Sequence, residues 1–366
     1  MEITIIDELK QFEELKTAWD AVYSSDDRAQ IFLSWAWLRG WFEVTPNPWF
    51  VIGVRLDNSS PYVGFFPLSI GRVQKYGLNL LRELRMGGDS SADYTGFICL
   101  PEYEKKVISA FAGYVQQQLE WDVFLMKNVL DPRLDVFLKC FSQEKFKVQE
   151  VNNTCCPYIP LPNTWEQYLR DFLDSKERIN LRRRLKKIES SNEFRFIQAQ
   201  EDNLESQIEA LLTLWQLRWG TKSERDLNIK RSIFRRCFEN NCLWLNVLWK
   251  ETTPIAGIAI FIEQQNKTFY FYITGYDAKF SNLAPGRVTI AYSIRDAIEN
   301  GFQIYDFLRG DEDYKFSRFG AKKRFNTSVT IARTSLRGTL INLIRRSRSE
   351  FPRSRGSLAL DPELSD

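Results

Sequence analysis

From residue 194 onward the apolar positions fall into two periods. Residues 194–199 (FRFIQA) alternate every second position, as a half-buried strand does. Leu204, Ile208, Leu211, Leu212, Trp215 and Trp219 recur at helical spacing, which predicts a helix over 204–219, and a shorter one fits 229–240. Strand-like runs follow at 243–249, 255–262 and 268–274. The polar links KETTP and EQQNK between them suit hairpins, so these runs predict an antiparallel meander. Pro285-Gly286 opens a further helix that Gly301 stops. A strand at 304–308, a charged segment and a last strand at 327–333 complete the order β-α-α-β-β-β-α-β-α-β.

The first half reads similarly. A strand at 2–6 precedes helices at 9–23 and 35–42, paired strands at 49–56 and 62–70, and extended pieces up to 98. A helix at 102–119, a strand at 121–126 (WDVFLM), a helix at 132–143 and an extended stretch at 148–161 follow. WDVFLM and YDFLRG hold the same slot in each half. The expected organisation is therefore an N-terminal domain over 1–160, a linker with a helix over 161–193, a C-terminal domain over 194–334 and a tail over 335–366. The fold class is α/β (α+β), two tandem domains, each a mixed, mostly antiparallel twisted sheet flanked by helices.

A chain of 366 residues with 44% apolar and 14% aromatic content can bury two cores. Net charge of +3 implies no whole-protein field. The chain has no histidine, which removes Ser-His-Asp and Cys-His catalysis and imidazole bases. Six cysteines without a CxxC pair make zinc a poor expectation, so no metal is expected. The start MEITIIDELK has no basic region followed by an apolar run, and no stretch reaches membrane-span length. A cytoplasmic location, with peripheral contact to the inner membrane as an option, is the expectation.

Two segments are unusual. Residues 304–320 (IYDFLRGDEDYKFSRFG) begin as a core strand and then set down Arg309, Asp311, Glu312, Asp313, Tyr314 and Lys315. Strand ends often face a crevice, so this is a candidate site; the plainer reading is a solvated turn with a helix cap at Asp311. Residues 174–189 combine capping-box spacing at Asp174 and Glu177 with an apolar stripe of Leu181, Leu185 and Ile188. Lys176, Arg178, Arg182, Arg183, Arg184, Lys186 and Lys187 cover the rest of a basic amphipathic helix. That helix could bind an anionic ligand, nucleic acid or acidic lipid heads, or simply be solvated.

These blocks carry a resemblance. The element order is that of the GNAT acyltransferase fold. SKERINLRRRLKKIE resembles the S...R.N.RR..K..E helix of the CelD-like GNAT family, tied to cellulose or exopolysaccharide biosynthesis. YDFLRGDEDYK is similar to that family's DF.RGDE.YK signature, and NLAPGRVTI (282–290) to its..PG..L helix start. The layout resembles the tandem GNAT arrangement of FemAB peptidoglycan aminoacyltransferases. The resemblance implies acyl transfer from acetyl-CoA, another acyl-CoA or an acyl-carrier thioester to a sugar or amine acceptor. Pro285, Gly286 and Arg287 would meet donor phosphates, with Arg309 and Lys315 as further cations. Asp311 or Glu312 would be the general base and Tyr314 the acid for a departing thiolate. Asp306 would anchor the turn. A single glycine stands where ordinary GNAT enzymes have two, and Pro285 removes an N–H donor.

In residues 87–96 (GGDSSADYTG), Asp89, Asp93 and Tyr94 resemble the family's Asp-Tyr element and could line an interdomain cleft; a plain turn is the alternative. Trp35, Trp37, Trp41 and Phe42 have the spacing of core packing. A covalent acyl-cysteine step is disfavoured, since no histidine exists to activate a thiol. FemAB-like transfer from charged tRNA and a non-catalytic scaffold are the alternatives, although nucleic acid is not the expected partner. The tail, with Leu336, Leu340, Leu343 and Ile344 among arginines, could contact an anionic membrane.

Overall fold

A computed structural model describes residues 1–75 and 78–334. Its strands are β1 Glu2–Ile6, β2 Trp49–Arg55, β3 Tyr62–Lys75, β4 Leu78–Met86, β5 Ile98–Cys99, β6 Val123–Val129, β7 Phe146–Cys155, β8 Tyr158–Pro160, β9 Phe194–Gln198, β10 Leu243–Lys250, β11 Thr253–Glu263, β12 Thr268–Tyr276, β13 Ile304–Asp306 and β14 Phe325–Arg333. They form two sheets, ordered β1-β2-β3-β4-β6-β14-β7 with β5 against β3, and β8-β13-β12-β11-β10-β9. The chain divides into two compact units, residues 1–154 with 325–334 and residues 155–324.

Each sheet contains the same device. In the first unit β4 leads through the helix Glu104–Gln117 to β6, its parallel neighbour. In the second, β12 leads through the helix Pro285–Glu299 to β13, again parallel. All other ladders of the second sheet are antiparallel, including β9 against β10 and the meander from β10 to β12.

The helices begin where the sequence supplies caps. Thr164 Oγ accepts from Gln167 N–H at 3.1 Å, Asp174 Oδ1 from Glu177 N–H at 2.8 Å and Ser223 Oγ from Asp226 N–H at 3.1 Å. Ser223 starts its helix at Glu224, five residues before the expected 229. On β11, Ala256, Ile258 and Ile260 face the core shared with the helix Pro285–Glu299. Gly257 and Phe261 face the helices Leu204–Trp219 and Glu224–Glu239 instead, meeting Leu211 and Phe234. Strand alternation thus gives this sheet a helix layer on each side.

Two boundaries differ from the sequence reading. The expected linker 161–193 is part of the second unit: Tyr168, Leu169, Leu181, Leu185 and Ile188 are buried in its core, and β8 pairs antiparallel with β13. The last strand, expected to close the C-terminal domain, lies in the first sheet instead. β14 pairs with β6, and its Val329 and Ile331 join Phe124 and Met126 in the first unit's core. An alternating strand fits either sheet by pattern alone, so the sequence could not assign it. The expected tail lies outside the described residues. Among the described residues no helix is long and apolar enough to cross a membrane.

Candidate functional site

β12 and β13 pair at only three positions, Thr268–Ile304, Phe269–Tyr305 and Tyr270–Asp306. They then part. Phe307 N–H turns away to the Pro157 carbonyl at 2.8 Å, and Gly310 N–H to that of Cys155 at 3.0 Å. β12 continues over 271–276 with β11 on one side and, among the described residues, no strand on the other. Tyr272 is an extra residue opposite the Ala259–Ile260 step, a bulge of the kind that re-aims a strand beside a site. At Thr274 a side chain substitutes for the missing strand: Trp219 Nε1 donates to its carbonyl at 3.0 Å. Phe271 and Phe307 meet edge to face at the fork, 5.6 Å between centroids.

The charged segment begins where the strands part. Asp306, buried at the end of β13, accepts from Leu308 N–H at 2.8 Å through Oδ1 and from Arg324 through Oδ2. This holds Leu308 at φ 58, left-handed for a branched residue, and stops the strand two residues before the expected 308. Asp306 is thus a turn anchor. Gly310 sits at φ 123, and an added Cβ would lie 2.5 Å from the Glu312 carboxylate. Lys315, 2% exposed, donates to the Gly310 carbonyl at 3.0 Å and pairs with Glu312 at 2.8 Å. The carbonyls of Phe307 and Arg309 lie at 3.4 Å from the same ammonium. The segment is a locked loop over a buried cation.

That placement revises several roles. Lys315 and Arg287 were two of the three cations meant for donor phosphates, and the structure puts both inside. Arg287, 1% exposed on the first turn of the helix Pro285–Glu299, pairs with Glu177 of the helix Ser175–Glu189. Glu177 also takes Arg318 at 2.7 Å, so the expected capping-box partner is the hub of a buried ion triad. Pro285 and Gly286 are buried beside it. The Arg287 guanidinium is thus committed to Glu177 rather than turned to solvent. Arg309 is half-buried on the loop. Glu312 is half-buried and oriented by Lys315, Tyr314 is half-buried with its ring 6.3 Å from that of Phe319, and Asp311 is exposed. On the loop that leaves β13 beyond the fork, Asp311 is thus in solvent and Glu312 is held.

Asp93, Asp89 and Tyr94 belong to the first unit. Tyr94 is buried, its ring edge-on to Phe32 at 5.9 Å, which makes it a core residue. Asp89 lies 3.8 Å from Arg85 and 3.7 Å from Lys127. The Asp93 carbonyl accepts from Asn326 Nδ2 at 3.5 Å, and its side chain is half-buried. The loop is tied down rather than free: Thr95 N–H donates to the Asn128 carbonyl at 3.0 Å. Trp37, Trp41 and Phe42 are buried, as their spacing suggests.

Sequence reasoning missed a cation–aromatic cluster beside the free edge of β12. Arg218 lies over Trp219 at 4.7 Å and Tyr276 at 5.2 Å. Lys222 lies over Trp215 at 5.0 Å and Lys230 over Tyr272 at 4.4 Å. Trp219 shares the helical spacing of the apolar residues before it, yet it is 40% exposed. The signal available was Gly220 directly after it, a helix end at φ 79. Nothing in the sequence brings residues 215–222, 230 and 272–276 together.

Cys155 lies beside Asp311. Burial first, and then the Asp311 carboxylate, push its thiol above the ordinary range. The thiolate is the nucleophile, so at pH 8 Cys155 is expected to alkylate more slowly than an unfolded thiol, with the rate still rising above pH 9. Asp311→Asn should speed the reaction by removing the like charge. Cys155→Ala should keep acyl transfer within about threefold of the native rate, since no step needs that thiol. A large loss in a folded Cys155→Ala protein would reinstate a covalent route.

Residues 175–316 match the family described as acetyltransferase (GNAT) domain. No curated protein matches the sequence. Among solved structures, FemX is similar with a TM-score of 0.64 at 14% identity, covering 94% of this chain and 100% of that one. L-PGS from Bacillus licheniformis is similar at 0.54 and 12%, covering 91% and 96%. The C-terminal domain of a putative lysylphosphatidylglycerol synthetase from Agrobacterium fabrum is similar at 0.54 and 9%, covering 93% and 96%. At these identities the structures share a fold. The domain match supports an acyltransferase of the GNAT type.

Proposed function

We propose that the second unit transfers an acyl group from an activated donor to an amine or hydroxyl of a cell-envelope acceptor, with the chemistry at the fork between β12 and β13. The observation that carries this is the three-pair ladder that splits after Asp306, where the chain carrying Asp311 and Glu312 leaves β13, with the Tyr272 bulge on the strand whose other edge is left unpaired among the described residues. The acyl carbonyl would lie along β12. Backbone N–H groups of the free edge are fixed donors for the tetrahedral oxyanion. A carboxylate at the fork would take the acceptor's proton as its nitrogen or oxygen attacks, and the donor's leaving group departs with the C–X electron pair. Asp311 is the better candidate, because Glu312 already holds Lys315. Arg309 on the same loop and Tyr314 on the short helix Asp313–Ser317 that follows would meet the donor's or acceptor's polar groups. The link to exopolysaccharide synthesis rests on the CelD-like signature alone.

A second reading, transfer from an aminoacyl-tRNA, is favoured by one observation. The helix start that should meet a coenzyme A pyrophosphate has its arginine buried against Glu177. The two donors separate in one experiment. Purified protein is given labelled acetyl-CoA or aminoacyl-tRNA with amino-sugar acceptors, and the native chain is compared with Asp311→Asn. Transfer is expected from one donor only, falling about 100-fold or more in the variant. Equal rates for native and variant, or no transfer from either donor, would remove the proposal.

A further inference from the structure

The helix Ser175–Glu189 buries Leu181, Leu185 and Ile188 and turns its other side to solvent. At 100° per residue the outward side is centred on Ile179. Lys176, Arg182, Arg183, Lys186 and Lys187 all project within about 80° of it. All five are exposed, and Ile179 is 66% exposed, the most exposed large apolar side chain among the described residues. Arg182 is engaged by Glu166, and Arg183 reaches Asn180 Oδ1 at 3.3 Å. Among the described residues Lys176, Lys186 and Lys187 have no ion pair. The pairs Arg182–Lys186 and Arg183–Lys187 set like charges one turn apart, which disfavours an isolated helix. The folded chain thus maintains five crowded cations around a bare isoleucine.

We propose that this face docks on an anionic lipid surface, with Ile179 entering the headgroup layer between the cations. Charge complementarity selects a polyanion, and each cation brought close to an anionic leaflet strengthens binding about fivefold. Ile179 selects lipid over nucleic acid. A branched apolar group gains by leaving water for the acyl boundary, while a row of phosphates offers it nothing. The face also carries no aromatic residue on which bases could stack.

The test uses the full chain with sedimented vesicles of phosphatidylcholine alone or mixed with phosphatidylglycerol. Binding is expected only to the anionic vesicles and should weaken steeply with salt. The triple variant Lys176→Gln, Lys186→Gln, Lys187→Gln should bind at least tenfold more weakly, and Ile179→Ser several-fold more weakly at unchanged charge. Far-UV circular dichroism should match the native chain for both variants, since these side chains are exposed. Single-stranded RNA is run in parallel. Native-like vesicle binding by the triple variant would assign adsorption to the arginines beyond residue 334 and overturn the proposal. RNA binding that needs the lysines, with Ile179→Ser neutral on vesicles, would overturn it in favour of nucleic acid.

Discussion

Replacing Glu177 with alanine lowers the stability of the protein by about 3–5 kcal/mol, read as a shift of the urea midpoint. The carboxylate is the counter-charge for two guanidiniums, Arg287 and Arg318. Arg287 has no route to solvent at 1% exposure, and burial already disfavours its charged form. Without Glu177 an unpaired cation would remain between two packed helices. Glu177→Gln keeps an acceptor but no charge and should fall between. The double variant Glu177→Leu, Arg287→Met should recover most of the loss, because the cost lies in the orphaned charge rather than in the missing pair. A loss below about 1 kcal/mol for Glu177→Ala would show that the triad is solvated in solution.

Gly275→Ala should cost about 2–3 kcal/mol and reduce transfer with it. An added Cβ would lie 2.3 Å from the backbone carbon of Leu214 and the backbone nitrogen of Trp215. The helix Leu204–Trp219 cannot yield there as a side chain could. It must lift off β12, and Trp219 would then lose the Thr274 carbonyl at the free strand edge. Gly257→Ala is the control. Its nearest neighbour is the Leu211 methyl at 3.0 Å, which can turn aside. The expected order of melting temperatures is native, then Gly257→Ala, then Gly275→Ala. Equal shifts for the two glycines would mean the helix has slack over β12, and Trp219 would then have no positioning role.

The element list was legible in the sequence because it depends on local physics. Period, caps and breakers placed the helices 204–219, 175–189 and 285–299 within a residue of their observed bounds. The charged segment after Asp306 was likewise visible, as was the turn-anchoring role of Asp306, since a carboxylate two residues before an amide reaches it by local geometry. The roles within that segment were not visible. Lys315 and Glu312 look alike in sequence as solvated charges, and only the carbonyls gathered from residues 307–310 make the lysine a buried clamp.

Alternation, spacing and composition by themselves determined two α/β halves, the order of elements in each, and an acidic loop at a strand end. Tertiary structure alone decided that β14 returns to the first sheet, that Arg287 turns inward to Glu177, and that among the described residues one edge of β12 has no strand beyond Tyr270. The reason is range. Side-chain period and capping act over a few residues, whereas strand partners and ion pairs are chosen between residues up to two hundred apart, where many pairings satisfy the same pattern and only simultaneous packing selects one.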